Sequence, residues 1–459
     1  MLNRRRFLGH SCALGVAGTT VATTLGQLAL TREATAQQSG YRALVCILLA
    51  GGNDSYNMLV PTGTSQHDAY SAIRSDLALP RNELIGLPGA AANGETYGVH
   101  PGMPELATLF TNGEAAMIAN VGTLLEAVDA AAIEAGTARV PVGLFSHADQ
   151  INQWQTAAPA DRIADGWGGR IADRLQSVNA ANGISMNISL SGTNVFQSGL
   201  NSTEYSIGAT GNGVVGINGY GDTDEFGQFR TESIDALLAI DQSSLLRREY
   251  RQRLRASIDA QSVFAGALAQ ATDLATTFTT SPFSQALRQI ARVISVRDVL
   301  GATRQTFFVT VGGWDHHDEV INNQAMMLPA ISQGLGEFRD ALVELGVFTD
   351  VTTFTTSDFG RTLTSNGRGS DHGWGGHHIV MGGAVNGGEI YGDYPLLATN
   401  SPLDVGRGIY IPTTAVDEYF AELALWFGVG TNDIDYVLPN LRAFYTPGTP
   451  PPLGFMSNR

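Results

Sequence analysis

Between residues 315 and 378 the chain packs five of its nine histidines beside Asp315, Asp358 and Asp371. The histidines are His316, His317, His372, His377 and His378. Neutral imidazole nitrogens and carboxylate oxygens are the donors a divalent cation takes from a protein. Asp315 and His317 are separated by one residue, so in an extended loop their side chains point the same way. Taken singly, each position has a plain reading: an aspartate after a strand caps a helix, and a lone loop histidine is solvated. Taken as a group, they predict a metal site. Of the other histidines, His10 lies in a segment expected to be removed, and His67, His100 and His147 are scattered.

A second region, residues 142–156, contains Phe-Ser-His-Ala-Asp-Gln. Ser146 is placed to begin a helix and reads first as its N-cap. The same position suits a nucleophilic hydroxyl, because a helix N-terminus favours anions such as phosphate. Arg170, in Gly-Trp-Gly-Gly-Arg, and Arg361, three residues after Asp358, are candidates to clamp an oxyanion, with structural ion pairs as the alternative.

The elements that must position these groups are legible. Residues 43–50 form a continuous apolar run ended by Gly51-Gly52, as in a parallel strand buried on both faces. Further strands are expected at 115–121, 184–190, 307–311, 351–356 and 379–383, and helices at 103–112, 322–345 and 413–426, the last capped by Thr413 or Thr414. Residues 191–227 read as an irregular insertion, 231–304 as helical, and 446–459 as an extended Pro-rich tail. Strands alternating with helices predict an α/β fold with a largely parallel central sheet flanked by helices. In such sheets functional groups gather beyond the carboxyl ends of strands. The three runs Gly-Gly-Asn-Asp-Ser (51–55), Gly-Gly-Trp-Asp-His-His (312–317) and Ser-Asp (357–358) fall there. Asp371-His372 and His377-His378 are placed in a Gly-rich loop before the 379–383 strand.

Residues 1–36 read as a twin-arginine export signal, with Arg4-Arg5-Arg6-Phe7-Leu8, a weakly apolar stretch and Ala34-Thr35-Ala36 as the cleavage site. This predicts a periplasmic or extracellular protein with no membrane span once the signal is removed. One domain is expected over 37–445. Removing four arginines and Glu33 takes the formal charge from −16 to −19, which argues against nucleic-acid binding. All 27 basic residues are arginine, excluding Schiff-base chemistry and a phosphate-loop lysine. Cys46 is the single cysteine of the mature chain, so neither an intramolecular disulfide nor a zinc–thiolate cluster is available.

The runs Gly-Gly-Asn-Asp, Phe-Ser-His-Ala-Asp-Gln, Gly-Trp-Gly-Gly-Arg, Gly-Gly-Trp-Asp-His-His, Ser-Asp-Phe-Gly-Arg-Thr and Asp-His-Gly-Trp occur in this order over nearly the whole mature chain. Their series resembles the exported bacterial family called domain of unknown function 1501, which is similar in fold to the alkaline phosphatase superfamily. The resemblance implies metal ligands at Asp54, Asp315, His317, Asp358 and His372, with His378 as the lesser alternative to His372, and a nucleophile at Ser146. Where two-metal members of the superfamily carry histidine after the strand-end aspartate, and sulfatases asparagine, this chain has Phe359. A second metal therefore needs Asp371 or His377 as a replacement ligand. The signature of sulfatases with a modified Cys or Ser is absent around Ser146. These features imply a metal-dependent hydrolase of phosphate or sulfate esters, using zinc, calcium, magnesium or manganese on a small anionic ester or an exported glycan. The alternatives are a non-catalytic binding or secretion-associated protein stabilised by metal on the same fold, and a carbohydrate-processing enzyme using a carboxylate pair such as Asp315 and Asp358.

Overall fold

Nine strands form the main sheet among the residues that the computed structural model describes, which are 40–89, 91–179, 184–211, 213–214, 216–241, 243–398 and 401–457. They are β1 (Arg42–Leu49), β2 (Ala115–Gly122), β3 (Asn187–Ser189), β4 (Tyr205–Ser206), β5 (Arg304–Val311), β6 (Val351–Ser357), β7 (Gly376–Met381), β8 (Ile390–Tyr391) and β9 (Thr414–Ala415). Their order is β8-β2-β7-β6-β1-β5-β3-β4, with β9 also paired to β2. Only β7 runs against its neighbours. All other pairings in this sheet are parallel. The predicted export signal at 1–36 lies outside the described residues.

The helices that flank the sheet and build its edge are α1 (Thr64–Arg74), α2 (Pro104–Thr111), α3 (His147–Thr156), α4 (Trp167–Leu175), α5 (Glu225–Ala239), α6 (Leu245–Leu268), α7 (Pro282–Ser295), α8 (Val320–Glu344) and α9 (Val416–Phe427). Seven consecutive buried residues in β1 follow from covering both faces of a parallel strand. Leu44, Cys46 and Leu48 share one core with Trp154 of α3, Trp167 of α4 and Phe420 of α9. Alternation sends Val45 and Ile47 to the opposite face, where α7 packs on β5 and α8 packs on α7 and α2. Burial pushes the Cys46 thiol up to about 12, so it stays a neutral core residue. None of the described helices is long and apolar enough to cross a membrane.

Several boundaries differ from the sequence reading for local reasons. The irregular stretch 191–227 contains β4, and helix begins at Glu225 because Asp224 accepts the amides of Phe226 and Gly227. The helical stretch 231–304 is three helices, the third opened by the Ser281 cap and Pro282, and Arg304 already belongs to β5. Thr414 is in β9, so the C-terminal helix starts at Val416. Its entry is held by Glu418, which accepts the Ala415 amide at 2.9 Å, while Thr413 donates to the Asp393 carbonyl. The tail is docked: Phe455 is fully buried, and Glu422 accepts the amides of Leu453, Gly454 and Met456.

His377 and His378 are not loop residues. They lie inside β7, one facing Tyr394 in a stacked contact at 4.5 Å and the other facing Trp154 at 4.7 Å. Burial pushes both imidazoles down to about 3. In the unfolded chain they titrate near 6.5, so the stability they contribute is full above that value and is lost as pH falls through 6.5 toward 3. The buried Asp417 carboxyl, raised to about 7, works in the opposite sense, its contribution being lost as pH rises from about 4 through 7. Unfolding free energies of wild type and His378→Phe compared from pH 6 to pH 5 isolate one histidine. The variant is expected to lose stability less steeply, by about 1.4 kcal/mol per pH unit.

Candidate metal centre

β1, β5 and β6 end in register, with Leu49 opposite both Val311 and Ser357. The loops that leave these three strands therefore emerge side by side. The Ser357 hydroxyl donates to the Leu49 carbonyl at 2.7 Å and accepts the Asn53 amide at 2.8 Å, tying two of them together. Gly51 has φ of +121°, and a Cβ there would stand 2.4 Å from the Asp315 amide nitrogen, so only glycine allows this approach. The Gly51 amide donates to Asp358 Oδ1 at 3.0 Å.

Four side chains meet above this edge. His372 Nε2 lies 3.1 Å from His147 Nε2, 3.0 Å from His317 Nε2 and 3.5 Å from Asp315 Oδ1. Asp315 is also 3.1 Å from His317 Nε2 and 3.5 Å from His147 Nε2. His147, Asp315 and His372 each offer one donor atom, all within 4.8 Å of one another. His317 joins them through His372 and Asp315.

Each imidazole is oriented through its other nitrogen. His372 Nδ1 is 2.8 Å from the Phe145 carbonyl, so it must be the N–H that donates. Phe145 itself is in the left-handed region with φ of 72°. His147 Nδ1 is 2.6 Å from Asp358 Oδ2, and His317 Nδ1 is 3.2 Å from Asp371 Oδ1. Asp371 accepts from Asn366, and with Arg407 and His317 beside it, its carboxyl is held down at about 2 against the opposing effect of burial. Burial pushes the His372 imidazole below its usual value, favouring the neutral ring. With its Nδ1 donating to a carbonyl, the neutral His372 ring directs a lone pair on Nε2 into the cluster. The His147 and His317 rings do the same in the tautomer that donates from Nδ1 to Asp358 and Asp371.

In that tautomer no proton lies between Nε2 atoms 3.0–3.1 Å apart, and their lone pairs repel. A cation between them turns that repulsion into coordination. Ligand atoms on metal bonds of about 2.0–2.1 Å stand roughly 3.4 Å apart in a tetrahedral arrangement, close to the 3.0–3.5 Å between His372 and each of the other three donors. The donor set of imidazole and carboxylate fits a divalent ion, and imidazole N–H groups held by carboxylate or carbonyl are the usual outer support of such a site.

Of the residues singled out from sequence, Asp315, His317 and His372 are brought together, with Asp358 and Asp371 behind two of the rings. Asp54 is not. It is fully buried, paired with Arg74 at 2.8 Å and accepting from Ser370 at 2.7 Å. His378 is not either, since β7 aims it into the aromatic core. The Ser146 side chain caps α3 by accepting the Asp149 amide at 3.4 Å. Arg170 does not face the cluster: its three nitrogens donate to the carbonyls of Val437, Asp165 and Thr156. Arg361 bonds Asp315 at 2.8 Å and the Ser370 carbonyl at 2.7 Å, which makes it a support for a ligand. Burial works to raise the Asp315 carboxyl, but the Arg361 hydrogen bond and charge outweigh it and hold the group below its usual value.

His147 is the residue that sequence reasoning set aside. The signal lay in its motif, where the first helical residue after a serine cap is a histidine. Phe359, which follows Asp358, packs against His147 and His372 with centroids 4.8 and 4.6 Å away. It forms an apolar wall, and no second cluster of metal-binding type accompanies the first among the described residues.

Solved structures with similar chain traces include Ps i-CgsB in complex with k-i-k-neocarrahexaose, at 11% identity over 86% of this chain and 74% of that one, with a TM-score of 0.33. The lipoteichoic acid synthase LtaP from Listeria monocytogenes matches at 7% identity over 83% and 82%, with a TM-score of 0.32. The PsFucS1 sulfatase from Pseudoalteromonas sp. matches at 11% identity over 86% and 69%, with a TM-score of 0.33. Among curated proteins none matches the chain. Residues 41–437 match the family described as Protein of unknown function (DUF1501), and the chain belongs to that family.

Proposed function

We propose that this protein is an exported hydrolase of phosphate or sulfate esters that depends on one divalent ion, held by His147, His317, His372 and Asp315. The observation that carries the reading is the convergence of three imidazole Nε2 atoms, each with its Nδ1 anchored, on one buttressed carboxylate. When bound, a divalent ion supplies positive charge to the anionic oxygens of an ester and to its leaving oxygen. The chain's own groups do the rest. Asp358 and Asp371 fix ring orientation, Arg361 positions Asp315, and Phe359 shields one side of the cluster from water. Ser146, adjacent to His147 at the start of α3, is the candidate nucleophile, with a water as the alternative. Zinc fits a set of three imidazoles and one carboxylate best, ahead of the oxygen-preferring magnesium and calcium. Export by the twin-arginine route and one α/β domain after residue 36 complete the proposal.

The cap-like role of Ser146 favours a second reading, a metal-stabilised protein without turnover. Both are tested by elemental analysis of the natively exported protein, followed by phosphatase, phosphodiesterase and sulfatase assays. The hydrolase reading expects about one metal per chain and ester turnover lost on chelation. Turnover that survives removal of the metal would overturn it, and bound metal without turnover would leave the second reading. Ser146→Ala then separates the nucleophiles: lost turnover with unchanged metal content assigns the hydroxyl, and retained turnover assigns water.

A further inference from the structure

Helix α5 has Gly227 as its single fully buried residue, and only Thr231, Ser233, Ile234 and Leu238 are partly covered. The buried residues of helix α6 begin at Ile258, so its first three turns project with α5 as a hairpin, held by hydrogen bonds of Asn218 and Tyr220 in the preceding loop. Short helices in water are marginal without tertiary packing, yet here Phe226, Phe229, Leu237, Leu245, Leu246 and Tyr250 are 65–81% exposed. Phe226, Phe229 and Leu237 fall on one stripe of α5. Between the two arms runs an apolar groove of about 680 Å³, floored by Ile234, Leu238 and Leu254.

The charges of the hairpin are divided between its arms. Residues 222–241 hold Asp222, Asp224, Glu225, Glu232, Asp235 and Asp241 against Arg230 alone. Residues 247–255 hold Arg247, Arg248, Arg251, Arg253 and Arg255 against Glu249, in a chain of net charge −16. The one ion pair between the arms among the described residues is Arg255–Asp235 at 2.9 Å. Arg247, Arg248, Glu225 and Glu232 form no ion pair among the described residues.

We infer that the hairpin pairs with the hairpin of a second copy of this chain. A two-fold axis sets the acidic α5 of one protomer on the basic α6 of its partner, twice over, so the surface is complementary to itself. The exposed apolar side chains offer on the order of 800 Å², the area per partner of a standard interface. An anionic membrane fits less well. The two arms nearly cancel in charge, and the acidic body would be repelled by the lipid.

Sedimentation of the full mature protein over a wide concentration range tests this. Wild type is expected to be a dimer, and Phe229→Glu combined with Leu246→Glu a monomer with unchanged circular dichroism. Arg247→Glu with Arg248→Glu, and separately Glu225→Arg with Glu232→Arg, are each expected to weaken self-association at least tenfold. Mixing these two charge variants should restore a heterodimer. A wild type monomeric at every concentration, a dimer untouched by the apolar substitutions, or charge variants that do not recover on mixing would each overturn the inference. A monomer that co-sediments with phosphatidylglycerol vesicles would replace the second copy with a lipid surface.

Discussion

His372→Ala protein, exported and folded, is expected to carry less than about a tenth of the metal that wild type holds. His372 is the one ring in contact with all three other donors, at 3.0–3.5 Å, so its loss removes the centre of the set. Losing only an outer partner of a ligand typically costs about 10–100-fold in metal affinity, and losing the ligand itself costs more. Asp358→Asn is expected to fall within that smaller range, because its amide no longer presents two acceptor oxygens to Gly51 and His147. Chelator competition on the purified variants, read as metal retained per chain, orders the effects: wild type, then Asp358→Asn, then His372→Ala. Equal retention in all three would remove the cluster from any metal role. The ordering also separates Asp358 as a positioning residue from Asp358 as a direct ligand, since a lost ligand would bring it level with His372→Ala.

The core of the sheet was legible because β1 and β2 are largely apolar runs and β5 and β6 are rich in β-branched and aromatic residues. Each ends near glycine or, for β6, at the polar turn after Thr356. The two-residue strands β4, β8 and β9 are too short to leave a pattern. The register of β1, β5 and β6 then follows from parallel pairing, and it brings Asp315 and Asp358 to one edge. What the sequence does not carry is direction within a loop. Asp54 follows β1 just as Asp315 follows β5, yet the Asn53 amide is held by Ser357 while Asp54 turns inward to Arg74, a partner 20 residues on. His377 and His378 looked like loop residues because glycines precede them, but β7 reaches back to Gly376 to pair with β2. His147 was hidden by the opposite effect. It stands alone in sequence, and only the packing of the α3 N-terminus above the strand ends places it beside His372.

Asp54→Ala is expected to cost about 3–5 kcal/mol of unfolding free energy, the penalty for stranding a buried charge without its partner. Both Asp54 and Arg74 are fully inaccessible to solvent. Arg74 donates in addition to Asn57 Oδ1 at 2.9 Å and to the carbonyls of Thr362 and Leu363 at 3.2 Å. The Ser370 hydroxyl donates to the same Asp54 oxygen at 2.7 Å. This network ties the loop after β1 to residues 362–370, between Arg361, which positions Asp315, and Asp371-His372. The pair thus acts on the cluster through the backbone that carries it, without contributing a donor. Urea unfolding at neutral pH gives the stability loss, and elemental analysis of the folded fraction gives the second readout. Asp54→Asn, which keeps an acceptor for Ser370, should lose less stability than the alanine variant and retain about one metal per chain. A folded Asp54→Asn protein that lacks metal and is no less stable than wild type stripped of metal would instead place Asp54 among the ligands, because its whole cost would then be that of the lost ion.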